Sequence, residues 1–131
     1  MKKDISPDKE KAKALWKMSL MSLDRLTEIS IEKYPSNSLS DYYDIIHKLL
    51  EALTLIEGVK MKGEGAHYTL INYAKDRWIS IEEEIFLQQM REFRNRVQYE
   101  GFLVTEEYIR RNSKTIKEII HKLNKKIEEH I

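Results

Sequence analysis

Asp41-Tyr42-Tyr43-Asp44-Ile45-Ile46-His47-Lys48-Leu49-Leu50-Glu51-Ala52-Leu53 is the stretch whose reading decides the fold. Its apolar positions, Tyr42, Ile45, Ile46, Leu49, Leu50 and Leu53, continued by Ile56, recur at three and four residues. That is the period of an α-helix, and a stripe this wide belongs to a helix buried on much of its surface. The spacing predicts a helix over about Leu39 to Glu57, with Gly58 as its stop.

Upstream, Ser6-Pro7-Asp8 reads as a helix start: a capping serine, proline at the first helical position and an acid at the positive end of the dipole. Leu15, Met18, Leu23, Leu26 and Ile29 carry the period onward, so a first helix is expected from about Pro7 to Lys33, roughly 40 Å long. Pro35 restrains Tyr34, and Ser36-Asn37-Ser38 invites a loop.

Downstream, Lys62-Gly63-Glu64-Gly65 is the most flexible linker, followed by a short helix over about Ala66 to Lys75. Ser80-Ile81-Glu82-Glu83 is a capping box that opens a fourth helix, to about Gln98, with Phe86, Met90, Phe93 and Val97 on one face and Gly101 as the stop. Thr105-Glu106-Glu107 starts the last helix, whose stripe is Ile109, Ile116, Ile120, Leu123 and Ile127 and which is expected to bend near Asn112-Ser113. No stretch alternates as a strand does. The expected fold is therefore all-α, an up-and-down bundle of about five helices in one domain spanning residues 1–131.

The chain has no cysteine, which excludes disulfides, thiolate metal sites and cysteine nucleophiles and fits a reducing compartment. No apolar run approaches the ~20 residues of a membrane helix, and Met1-Lys2-Lys3-Asp4 leads into no signal-type apolar core, so a cytoplasmic protein without a membrane partner is expected. With 23 basic and 22 acidic residues there is no global positive field, and any attraction to nucleic acid has to come from a local patch. Abundant Lys, Glu and Ile also fit a thermophile.

The least ordinary segment is Arg91-Glu92-Phe93-Arg94-Asn95-Arg96-Val97-Gln98-Tyr99-Glu100-Gly101, with three arginines in six residues. Phe93 and Val97 face the core, which puts Arg94 and Gln98 beside that stripe and Arg91 and Asn95 one step further round. Guanidinium groups and an amide gathered on one edge can hold a phosphate or a carboxylate bidentately; a salt-bridged helix end is the alternative.

The chain is similar, over about Lys9 to Leu123, to the HEPN domain family (higher eukaryotes and prokaryotes nucleotide-binding), small helical bundles common in archaea and bacteria. The stretch from Asp41 to Leu53, running on to Glu57-Gly58, and the stretch from Met90 to Gly101 carry the resemblance. It implies a homodimer in which two copies of the arginine-bearing helix line a shared cleft. It also implies a relation to metal-independent RNA-cleaving toxins that pair with a small nucleotidyltransferase. Arg94 and Asn95 match the first two places of the family's motif, and Tyr99 stands at the histidine place.

Cleavage of RNA by 2′-hydroxyl attack needs a proton acceptor and stabilisation of the phosphorane. Arg94 suits the second task, whereas a tyrosine with a reference pKa near 10 is a poor base at neutral pH. The expectation is a non-catalytic protein that binds RNA or nucleotide phosphate at the dimer cleft through Arg94 and Asn95, with Arg91, Arg96 and Tyr99 at the rim. No cofactor and no metal is expected, and pairing with a nucleotidyltransferase in a toxin–antitoxin-type system is expected alongside this binding or in its place. Two alternatives stand beside it: an active endoribonuclease using Arg94, Asn95 and Tyr99, and a purely structural interaction module. Dimerisation is expected through the second and fourth helices.

Other chemistry-bearing residues read more plainly. Glu64 and His67 have the Glu-x-x-His spacing of di-iron bundles, but the second motif is missing. Asp44 and His47, three apart, are expected to meet as a surface or interface pair, and His121 and His130 to be solvated. Most of Tyr42, Tyr43, Tyr68, Tyr73, Trp78 and Tyr99 are expected to pack at helix boundaries, though each could stack a base.

Overall fold

The structure, a computed structural model, describes residues 1–131 and is an all-α bundle of five helices with one small β-ribbon. The order is β1 (Lys2–Asp4), α1 (Lys9–Leu26), α2 (Pro35–Glu57), β2 (Val59–Met61), α3 (Ala66–Ala74), α4 (Ile81–Glu100) and α5 (Glu106–Glu128). The centre is α2, which packs against α1, α4 and α5, while α3 bridges α2 and α4. Leu39, Tyr42, Tyr43, Ile45, Ile46, Leu49, Leu50 and Leu53 are all buried, as the wide stripe predicts.

That burial corrects one expectation. Along α2 only Asn37 and Glu57 are exposed, because three neighbouring helices cover the stripe. The apolar stripe that suggested a dimer contact on the second helix is thus covered within the chain itself.

The first helix is shorter than its sequence suggests. It begins at Lys9 with Asp8 as the cap, the Asp8 carboxylate accepting from the Lys11 N–H at 3.0 Å. Residues 5–8 instead run along the end of α2, where the Ile5 N–H donates to the Gly58 carbonyl (2.9 Å) and the Asp8 N–H to the Leu55 carbonyl (3.0 Å). At the other end α1 stops at Leu26, and residues 27–34 form turns. Pro35 then occupies the first helical position of α2, where its fixed φ helps and its missing N–H is not needed. Ser36 and Ser38, expected in a loop, lie in the first turn of that helix. The Ser38 hydroxyl donates to the Ile31 carbonyl (3.0 Å), and the Ser36 hydroxyl accepts from the Val104 N–H (2.9 Å).

Gly58, at φ +81°, ends α2 in the left-handed conformation and turns the chain into β2. The antiparallel ribbon pairs Lys2 with Met61, Lys3 with Lys60 and Asp4 with Val59. Three residues per strand are too few for alternation to announce itself. The capping box of α4 is complete: the Ser80 hydroxyl accepts from the Glu83 N–H at 3.1 Å, and the Glu83 carboxylate accepts from the Ser80 N–H at 2.8 Å. The helix runs to Glu100, two residues past the expected end, and Gly101 caps it at φ +68°. The last helix has no break at Asn112-Ser113; the Asn112 amide donates to the Tyr108 carbonyl four residues back at 2.9 Å and α5 continues. Trp16 of α1 reaches Asn124 of α5 through its indole N–H at 3.2 Å. No helix is long and apolar enough to cross a membrane.

Candidate functional site

Residues 63–68 and the outer part of α4 enclose a groove of about 600 Å³, lined by the Gly63–Ala66 loop, His67 and Tyr68 of α3, and Arg91, Arg94, Asn95 and Tyr99 of α4. Two glycines at φ +83° and +77° shape the loop and deliver the start of α3 to it. Gly65 caps that helix with no side chain, so its first turn depends on backbone alone. The Ala66 and Thr69 N–H groups find the Gly63 and Gly65 carbonyls at 3.2 and 3.0 Å, and the N–H groups of His67 and Tyr68 have no acceptor. Free donors at the positive end of a helix favour an anion.

Two arginines point at the same space. Arg91 donates through Nε to the Gln88 side chain (2.9 Å), and Gln88 donates to the Tyr68 carbonyl (3.0 Å), which ties α4 to α3. The Arg91 guanidinium lies 5.5 Å from the Tyr68 ring centroid. Arg94 donates through Nη2 to Asp44 of α2 at 3.2 Å and lies 5.7 Å from the Tyr43 ring centroid. Its Nε is buried with no partner, an unmet donor in a residue otherwise held on two sides. Only Glu64 brings a carboxylate to the lining of the groove.

Behind the arginines the fold assembles a chain of polar rings. The Tyr43 hydroxyl meets His67 Nδ1 at 3.1 Å, the His67 ring stacks on His47 with centroids 3.9 Å apart, and His47 Nδ1 meets the Glu51 carboxylate at 2.9 Å. Burial, with the positive surroundings of His47 and Arg94, lowers the His67 pKa to about 4, so the ring is neutral at pH 7. Burial also pushes the Tyr43 phenol far above its ordinary value, so it keeps its proton at neutral pH. The hydrogen bond from His47 holds the Glu51 carboxyl below its ordinary range. Beyond the histidines lies a second cavity of about 230 Å³, lined by Lys11, Lys60, His47, Glu51 and the apolar floor of Leu55, Met61 and Leu70. His67 and Ala66 line both spaces.

Of the residues singled out in the sequence, Arg91, Arg94, Asn95 and Tyr99 share this groove, with Tyr99 78 % exposed at its edge. Arg96 does not join them: it turns away, lies 4.1 Å over the Phe102 ring and pairs with Glu100 at 3.8 Å. Asp44 and His47 do not pair with each other, because Arg94 takes the first and Glu51 the second. Tyr42, Tyr43 and Trp78 are buried, Tyr68 is half exposed, and His121 and His130 are exposed. No cluster of histidine and carboxylate side chains has the composition to hold a metal ion, the Glu64–His67 pair included.

Sequence reasoning missed His47, His67 and Glu51 as one unit. A signal was present in Asp44, His47 and Glu51, a polar edge at helical spacing on the helix with the widest apolar stripe. What joins that edge to residue 67 and to residue 94 is tertiary packing. Comparison with family models, with curated proteins and with solved structures finds no match for this chain.

Proposed function

We propose that this chain binds RNA or nucleotide phosphate in the groove between α3 and α4, as a HEPN-like domain without catalytic activity of its own. The observation that carries this reading is the convergence of Arg91, Arg94 and the uncapped N-terminus of α3 on one space. Guanidinium groups supply paired N–H donors to phosphate oxygens, and free backbone N–H groups supply more. Asn95 and Tyr99 complete the rim, and the exposed Tyr68 and Tyr99 rings offer faces for bases. Pairing with a second copy through the outer face of α4, and with a nucleotidyltransferase for which the exposed Tyr99 is an acceptor, belongs to the same reading.

One observation favours a second reading, the metal-independent endoribonuclease. His47, oriented by Glu51, supplies a proton acceptor that α4 lacks. It ranks second because the two histidine rings are stacked against each other and only His67 lines the groove, His47 lining the small cavity behind it. Attack by a 2′-oxygen in line with the departing 5′-oxygen needs its base and its acid on opposite sides of the phosphorus. His67 is also neutral, with its Nδ1 already engaged by the Tyr43 hydroxyl.

The test is titration of a mixed RNA pool with the parent protein and Arg94→Gln, with cleavage scored in EDTA. Retention of RNA by the parent, loss by the variant and intact RNA in both is the expected result. Equal retention by both removes Arg94 from the site, and cleavage by the parent alone replaces binding with catalysis.

A further inference from the structure

The ribbon beside the groove holds a cluster of like charges that the fold itself does not need. Lys3 and Lys60 are directly opposite in the antiparallel pair, which places their side chains on the same face, and Lys62 follows Lys60 by two residues. The Met1 ammonium joins them, donating to the Lys62 carbonyl at 2.9 Å. None of Lys3, Lys11, Lys60 and Lys62 is in an ion pair. Side-chain contact with the Lys3 ammonium, and then the charge of Lys60, hold Lys62 below the ordinary lysine range. Two ammonium groups cannot both donate to each other, so the contact is repulsive. Opposed like charges destabilise a two-stranded pair, yet this chain, with nearly equal numbers of acids and bases, gives none of these lysines a carboxylate at ion-pair distance, Glu51 across the small cavity included.

The cluster is continuous with the groove. Lys60 and Lys11 line the small cavity, which shares His67 and Ala66 with the space in front of Arg91 and Arg94. Cations therefore run from the ribbon, past the histidine pair, to the arginines, and outnumber the two carboxylates that line the same spaces, Glu51 and Glu64. A mononucleotide has charge enough for the arginine end alone. Only a polyanion with regularly spaced charges meets the whole line.

We propose that the groove is one end of a longer track for single-stranded RNA, in which Arg91 and Arg94 hold one phosphate and Lys60, Lys11, Lys3 and Lys62 hold successive phosphates along the ribbon. This rests on the phosphate-binding reading above and assigns its substrate class as an oligonucleotide. Single strands fit better than duplex because the exposed Tyr68 and Tyr99 rings face the groove, and only unpaired bases can stack on them.

The experiment compares a labelled decauridylate with uridine monophosphate as ligands, by anisotropy and by calorimetry, at several salt concentrations. The variants are Lys3→Gln/Lys60→Gln/Lys62→Gln, the same three positions as Arg, and Arg91→Gln/Arg94→Gln. Losing three phosphate contacts reduces the slope of log affinity against log salt by about 2 at roughly 0.7 per contact. The glutamine triple variant should bind the decamer at least tenfold more weakly, and uridine monophosphate as the parent does. The arginine triple variant should bind both like the parent, and the α4 double variant should lose both. Because the glutamine changes relieve repulsion, that variant should melt no lower than the parent, which separates lost binding from lost folding. An unchanged decamer affinity in the glutamine triple variant overturns the track, and so does an equal loss for monophosphate and decamer. If the parent binds neither ligand, the phosphate-binding reading fails, and the track with it.

Discussion

His67 is a histidine kept neutral by the fold, and its stability effect has a definite sign. Its pKa drops from an ordinary 6.5 to about 4 in the folded chain, through burial first and then through the charges of His47 and Arg94. Between those values the unfolded chain takes up a proton that the folded chain refuses, so stability falls as pH falls. At pH 5 the full linkage is roughly 2 kcal/mol, from 1.36 kcal/mol per pH unit. The ring is only partly buried, and solvent screening reduces the effect to about 1 kcal/mol. The Glu51 carboxyl, held below 4.5 mainly by its hydrogen bond from His47, adds its own loss only at lower pH.

Urea unfolding at pH 7.5 and pH 5.0, for the parent and for His67→Gln, measures this. The parent should lose about 1 kcal/mol more than the variant on going to pH 5. Identical pH dependence in the two proteins would refute the buried, neutral histidine. A bound phosphate attracts the protonated ring, so oligonucleotide affinity should rise toward pH 5 in the parent and stay flat in His67→Gln.

Other expectations follow from single contacts. Gly58→Ala places a Cβ 2.7 Å from the Ile5 carbonyl oxygen and 3.2 Å from the Pro7 ring at φ +81°, which should cost about 2–3 kcal/mol and lower Tm by roughly 10 °C in a calorimetric scan. Gly63→Ala meets no atom within 4 Å and carries only the backbone cost of about 1 kcal/mol. Asp44→Asn releases Arg94 from a pair whose carboxylate is 42 % exposed, so stability should change by less than about 1 kcal/mol while decauridylate binds several-fold more tightly. Ser80→Ala breaks the capping box of α4 and should cost about 1 kcal/mol in urea unfolding.

The helices that the sequence located well are those whose ends are written in local chemistry. Ser80 with Glu83 and Gly101 bound α4 by side-chain capping and by the left-handed glycine, neither of which depends on distant residues. The central helix was legible because its stripe spans so many turns that no register shift can hide it. Pro7 and Pro35 show where local chemistry stops deciding. Pro7 reads as a first helical position and Pro35 as the end of a helix, yet it is Pro35 that opens a helix, because residues 5–8 are drawn to the Leu55 and Gly58 carbonyls at the far end of another helix. The site follows the same rule. Arg91, Arg94, Asn95 and Tyr99 share a helix and could be grouped by periodicity, although the direction of Arg96 depends on Phe102, a residue beyond the helix end. His47 meets His67, and Asp44 meets Arg94 fifty positions away, only because α2, α3 and α4 pack together.

The central claim is that phosphate lodges between Arg91, Arg94 and the start of α3, and amide chemical shifts report that position directly. Titration of the isotopically labelled chain with uridine monophosphate should move the His67 and Tyr68 backbone amides and the Arg91 and Arg94 Nε–H signals first, and these shifts should vanish in Arg91→Gln/Arg94→Gln. Saturable shifts confined to other surfaces, or none at any concentration, would contradict the account.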